Sequence, residues 1–280
     1  MFRKVTILGV GLMGSSVGCI LRSHKLANEV VGVARHHHSL SQALKIGAID
    51  RGSHDVKKSL ENADLVILAT PVKTIIHHLT TIGKFLKRGC LVTDMGSSKA
   101  VIVDTAQKNL PSHVAFVGSH PLAGSEKSGG QYARKDLFQN SICVMTPTEK
   151  TQKHAIDKIN ELWVKAGALV KFLSPEEHDK ILAHLSHMPH LLAYGLVETV
   201  SSDYLPYATP SFKDITRIAS SEPHMWADIC LTNSKNVVQS LDEFIKALAA
   251  LRKFMVAKDQ EGLVEHFRKS KNKRDGLNPP

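Results

Sequence analysis

Four groups of residues in this chain have types and spacings suited to chemistry. The first is Gly9-Val10-Gly11-Leu12-Met13-Gly14, a GxGxxG run placed directly after the apolar stretch Val5–Leu8. Glycines are required where a tight turn must bring the backbone close to a pyrophosphate. The N–H groups of Leu12 and Met13 then open a helix whose positive end faces the anion. The second group is His120, in the small-residue stretch Gly118–Gly129, together with Ser97 in Asp94–Lys99. Each follows a strand-like run, and an imidazole and a hydroxyl at neighbouring strand ends can act as a general base and its orienting partner. The third is His184, His187 and His190, three apart on one side of a helical period. No HExxH arrangement accompanies them and Pro189 interrupts the period, so no metal is expected. The fourth is Arg217, set among apolar residues in Phe212–Ala219. A guanidinium in such company pairs with a carboxylate, either Asp214 or one carried by a ligand.

These groups need elements to hold them. Val5–Leu8, Val30–Ala34, Leu65–Thr70, Leu91–Asp94, Ala115–Gly118, Ile142–Met145 and Leu169–Phe172 are short, apolar and β-branched. Turn residues follow most of them, and amphipathic stretches such as Gly11–Ser23 and Thr74–Phe85 lie between. Alternation of this kind argues for a parallel sheet covered on both faces, an α/β Rossmann-type doubly wound domain over residues 1–172. From Ser174-Pro175-Glu176-Glu177 onward the pattern is helical, opened by an N-cap serine, a proline at the first helical position and a glutamate that completes a capping box. Residues 173–280 are therefore expected to form an all-α domain.

The second strand supplies a clue to the dinucleotide. An acidic side chain at its end would hold the ribose hydroxyls of NAD. Ala34 stands there instead, followed by Arg35 and by His36, His37 and His38. Loss of the carboxylate and gain of a guanidinium favour a 2′-phosphate, hence NADP+ over NAD+. Thr70 and Pro71, at the end of the Leu65–Thr70 strand, are expected as further cofactor contacts.

Composition excludes several classes. The 280 residues are 42% hydrophobic, 22% charged and 5% aromatic, with a mean hydropathy of -0.10, which describes a folded globular chain rather than a disordered one. No apolar run approaches the about 18 residues that a membrane span requires. The formal charge is +10. Most of the excess lies before residue 150, but its bases are scattered without aromatic interleaving, so phosphorylated small molecules rather than nucleic acid are the expected partners. Cys19, Cys90, Cys143 and Cys230 lie far apart, as reduced thiols do, and the N-terminus has no cleavage-site pattern. A cytoplasmic location is expected.

In order along the chain, GVGLMG, DMGSSK, HPLAGSEKSG, SPEEHD, SHMPH, FKDITRIA and the Met225-Trp226 pair make the sequence resemble the prephenate/arogenate dehydrogenase family of tyrosine biosynthesis. The resemblance covers essentially the whole chain. It implies NAD(P)-dependent oxidative decarboxylation, a nucleotide-binding domain and a helical domain that forms a homodimer. By motif position it implies His120 as the catalytic histidine, Ser97 as its partner and Arg217 on a substrate carboxylate. His187, His190, Ser125 and Glu126 would line the substrate pocket. Ser125 stands where many relatives have Thr. His190 and Glu126 favour prephenate over arogenate. A β-hydroxyacid dehydrogenase also joins such domains but is disfavoured by HPLAGSEKSG and TRIA. A non-catalytic NADP-binding sensor would not need His120, Ser97 and Arg217 together.

Overall fold

A computed structural model of the chain describes residues 1–124 and 129–277. Eight strands form one sheet in the order β3-β2-β1-β4-β5-β6-β7-β8. They are β1 (Phe2–Leu8), β2 (Ala27–Val33), β3 (Arg51–Ser53), β4 (Leu65–Leu68), β5 (Leu91–Asp94), β6 (Ala115–Pro121), β7 (Ile142–Thr146) and β8 (Leu169–Phe172). Neighbours from β3 through β6 are parallel. Successive side chains of a strand point to opposite faces, so strands buried on both sides read as unbroken apolar runs. Along β4, Leu65 and Ile67 enter one core with Val5, Val30 and Leu91, while Val66 and Leu68 enter the other with Leu8, Val33 and Val92.

The expected parallel sheet is modified at one edge. β7 runs antiparallel to β6, and β8 is parallel to β7. The reason lies in the connection: among the described residues between Pro121 and Ile142 only a single 3-10 turn, Gly130–Tyr132, is present. A parallel return needs a crossover of a dozen or more residues, usually helical, whereas an antiparallel return does not. A second difference is β3, three residues long, which the sequence pattern did not reveal. β6 also extends past Gly118, so His120 lies within the strand, opposite Val144, rather than beyond it.

Chain order reverses between β1 and β4, the switch point at which open α/β sheets bind ligands. Around it lie α1 (Leu12–Ser23), α2 (His37–Lys45), α4 (Val72–Thr81) and α5 (Ala100–Asn109), with α3 (Val56–Leu60) and α6 (Lys153–Lys165) completing the layers. After β8 the chain is helical: α7 (Pro175–Leu182), α8 (Met188–Glu198), α9 (Pro210–Thr216), α10 (Pro223–Thr232), α11 (Ser234–Ala257) and α12 (Gln260–Asp275).

Two compact units result, Met1–Ser234 and Lys235–Pro280. The helices from α7 to α10 therefore belong with the sheet. Trp226 and Ile229 join the apolar cluster of α4 and α5, and Lys73 pairs with Asp228 at 2.8 Å. In the second unit, Asp259 caps α12 by accepting from the Gly262 N–H. Val238, Ile245, Leu248 and Met255 are exposed along α11. Among the described residues, no helix is long and apolar enough to cross a membrane.

Candidate active site

The glycine turn after β1 has the shape its sequence requires. Gly9 has φ +99°, a conformation that suits only glycine, and a Cβ there would lie 2.5 Å from the Ala69 carbonyl oxygen. A Cβ on Gly14 would meet the Gly9 carbonyl oxygen at 1.9 Å, so that glycine lets α1 seat against the turn. Gly11 differs: a Cβ there would meet nothing within 4 Å. That leaves open space at the first turn of α1, beside Leu12 and Met13, of the kind that a pyrophosphate on a helix N-terminus requires. Gly11 is the N-cap residue, and no side chain caps the helix. Across the switch point, Thr70 carries a buried Oγ1 with no hydrogen-bond partner, and Pro71 begins α4. The turn, the uncapped helix end and the orphaned hydroxyl fit a dinucleotide. At the end of β2, Ala34 is half-buried and its carbonyl is 2.8 Å from His54 Nδ1. Arg35 is exposed, and His37 and His38 form the start of α2 rather than a turn.

His120 lies on β6, three positions from β1 in the sheet, at the same C-terminal edge. The end of β5 is tied to β6 by a fully buried ion pair between Lys99 and Asp94. Lys99 Nζ also donates to the Ser119 carbonyl at 3.0 Å, and Asp94 accepts from the Ser119 N–H at 3.2 Å and the Gly96 N–H at 2.8 Å. Saturated pairs of this kind fix geometry, because removing one partner leaves a buried charge. Asp179 of α7 then accepts from the backbone N–H groups of Lys99 and Ala100 at 2.6 and 3.0 Å, capping α5 from another helix.

This places His178 against His120. His120 Nδ1 lies 2.8 Å from His178 Nε2, and His178 Nδ1 lies 2.8 Å from Asp179 Oδ1. All three side chains are buried. Ser97 is half-buried beyond β5 and makes no hydrogen bond with His120, so the expected orienting partner is replaced at Nδ1 by His178. Burial holds His120 well below its ordinary pKa, reinforced by the repulsion its charged form would meet from the titratable rings of His178 and His187 and from Lys99. The imidazole is neutral at pH 7, as a base must be.

The helix that follows explains the other histidines. Pro189 has no N–H to give, and a straight helix would drive its ring into the carbonyl four residues earlier. The chain widens into a π-helical turn over Ala183–His187 between α7 and α8, which relieves that conflict. His187 is completely buried; Asn233 Nδ2 donates to its Nδ1 at 3.2 Å, and its Nε2 has no partner. Burial pushes its pKa down to about 4. His190 is half-buried, donates from Nδ1 to the Ser186 carbonyl at 2.9 Å, and stacks on Trp226 with ring centroids 3.3 Å apart. Burial lowers its pKa and the neighbouring Arg217 charge lowers it further. Arg217 follows the last residue of α9 as its C-cap and is exposed. His184 is half-buried with Nδ1 on the Lys180 carbonyl. Ser125 and Glu126 lie outside the described residues. Asp179, His178 and the Lys99–Asp94 pair are the site groups that the sequence reading missed.

Comparison with known proteins decides the family. Residues 17–172 match the model of the prephenate dehydrogenase nucleotide-binding domain, and residues 174–269 match that of the prephenate dehydrogenase dimerization domain. The chain belongs to the prephenate dehydrogenase family. A prephenate dehydrogenase of Bacillus subtilis is 37% identical, with 98% of this chain and 76% of that protein covered. A cyclohexadienyl dehydrogenase of Zymomonas mobilis is 35% identical over 99% of this chain and 96% of its own length. The crystal structure of a prephenate dehydrogenase from A. aeolicus, in complex with hydroxyphenyl propionate and NAD+, superposes with a TM-score of 0.92 at 34% identity, covering 99% of both chains. Membership makes the protein an oxidoreductase with a nicotinamide-dinucleotide domain.

Proposed function

We propose that the protein oxidatively decarboxylates prephenate to 4-hydroxyphenylpyruvate. The observation that carries this reading is His120, a buried neutral imidazole at the sheet edge that also bears the dinucleotide crevice. Arg217 and His190, adjacent to one another, supply a cationic and a polar group for a carboxylate-bearing substrate. Nicotinamide, when bound, accepts the hydride from C4 of the ring. His120 takes the proton of the 4-hydroxyl as that hydride leaves. Loss of CO2 from C1 aromatises the ring, and the proton returns from His120 to the phenolate oxygen. Ser97, beyond β5, is assigned to the same hydroxyl, and His187 to the pocket wall.

We assign the glycine turn, Leu12, Met13, Thr70 and Pro71 to the dinucleotide, with NADP+ preferred. Ala34 presents no carboxylate to repel a 2′-phosphate, and Arg35 stands exposed beside it. A charge-assisted contact of about 1.5–3 kcal/mol gives a preference on the order of tenfold. Steady-state turnover with prephenate and with arogenate, each with NAD+ and NADP+, tests the whole reading. Prephenate with NADP+ is expected to give the highest kcat/KM, and Arg35→Ala to lower the NADP+/NAD+ ratio. Turnover of neither substrate rejects the function; an unmoved ratio rejects the role of Arg35.

The helical part is assigned to a homodimer. α11 exposes Val238, Ile245, Leu248 and Met255, more apolar surface than a solvent-facing helix carries. Light scattering at micromolar concentration is expected to give twice the chain mass of 30.7 kDa, and the chain mass itself would refute the assignment. The four cysteines are free, as in a cytoplasmic protein.

A further inference from the structure

We propose that His178 and Asp179 are positioning residues that hold His120 in the Nδ1–H tautomer and so leave its Nε2 as the basic nitrogen. The inference rests on the reading of His120 as the base, and deepens it by assigning which nitrogen acts and what selects it.

The direction of each hydrogen bond in the chain is fixed by its acceptor. A carboxylate can only accept, and Asp179 already accepts from two backbone N–H groups of the α5 terminus. At 2.8 Å its third contact must be the Nδ1–H of His178. Burial lowers the pKa of His178, with Asp179 opposing, so the ring is neutral and its Nε2 carries a lone pair. That lone pair faces His120 Nδ1 at 2.8 Å, so His120 Nδ1 must donate. A neutral imidazole with its proton on Nδ1 has its lone pair on Nε2. Every link is buried, so water offers no alternative partner to scramble the tautomers. When Nε2 takes a proton, the new positive charge is offset through His178 by the Asp179 carboxylate. The groups around the chain are Asp94 at the end of β5, Lys99 beyond it, Cys143 on β7, and His187 on the π-helical turn. Burial, a charge on His178, and the charges of Lys99 and His187 disfavour a charge on His120, in that order. Asp179 is the anion that balances it through a hydrogen-bonded path.

The fold explains why this device needs two elements. Asp179 cannot swing away from His178 without uncapping α5, and His120 is paired in β6 opposite Val144. The two histidines are thus set by separate rigid parts, in T-shaped contact with ring centroids 5.1 Å apart.

Two variants of His178 and two readouts test the proposal. In His178→Gln the amide oxygen can replace Nε2 as acceptor from His120, whereas in His178→Leu nothing can. His178→Leu is expected to lower kcat about a hundredfold with KM values little changed, and His178→Gln to recover at least tenfold of that loss. Independently of turnover, nitrogen-15 NMR of the imidazoles in the full-length protein should show His120 protonated at Nδ1 in the parent and in His178→Gln. In His178→Leu it should show a mixture or the Nε2–H form. His120 found protonated at Nε2 in the parent overturns the proposal, as does a leucine variant with parental kcat. So does a glutamine variant no better than leucine while circular dichroism reports both folded. If the parent turns over neither prephenate nor arogenate, the spectra still decide the tautomer, and only the assigned reaction falls.

Discussion

His120→Asn is expected to lower kcat by about 10²–10⁴ while leaving cofactor affinity nearly unchanged. The substitution removes the one buried neutral imidazole that the sheet edge presents beside the dinucleotide crevice. Asn can occupy the volume near Nδ1 and accept or donate one hydrogen bond, but its amide does not take a proton at neutral pH. The glycine turn, Thr70 and the α1 terminus are on other strands, so the cofactor should bind as before. Stopped-flow or steady-state measurement of reduced nicotinamide, with cofactor titration by fluorescence, separates the two quantities. Turnover within a fewfold of the parent would remove His120 from the chemistry.

The second large effect concerns Arg217. Arg217→Ala is expected to raise the prephenate KM by the equivalent of about 2–4 kcal/mol, with a smaller change in kcat. The guanidinium stands exposed just past the last residue of α9, where a carboxylate-bearing substrate can reach it. Burial apart, its charge lowers the pKa of the nearby His190. A substrate seated over it would exclude water from the pair and strengthen the contact. Unchanged KM in a variant shown by circular dichroism to be folded would assign Arg217 to structure instead.

What the sequence revealed of this molecule, and what it hid, follows from the range of each interaction. The apolar runs of β4, β5 and β6 and the C-terminal halves of β1 and β2 were legible because both faces meet a core, whereas the edge strand β8 was legible from its β-branched and aromatic residues although most of it is exposed. β3 was not, since Arg51-Gly52-Ser53 is a three-residue edge strand with no large apolar side chain and no fully buried residue. The direction of β7 was hidden because side-chain alternation is the same for parallel and antiparallel neighbours. At the site, GxGxxG could be read locally, since turn, helix end and anion cradle occupy six successive residues. His178 and Asp179 were legible only as the continuation of a helix start, after Ser174 and Glu177. Their partners are His120, Lys99 and Ala100, 58 to 80 residues distant. No local pattern announces a cap supplied across that separation. The available signal was an adjacent His-Asp pair directly after the Ser174–Glu177 helix start, two polar side chains that are seldom buried without partners. Pro189 was read as an interruption, whereas the chain accommodates it by widening one turn and remains helical.

The most direct test is the stoichiometry of one reaction. With prephenate and NADP+ under initial-rate conditions, the account predicts that reduced cofactor, CO2 and 4-hydroxyphenylpyruvate form in equal molar amounts. Reduced cofactor appearing without CO2 would mark a simple alcohol dehydrogenase and contradict it.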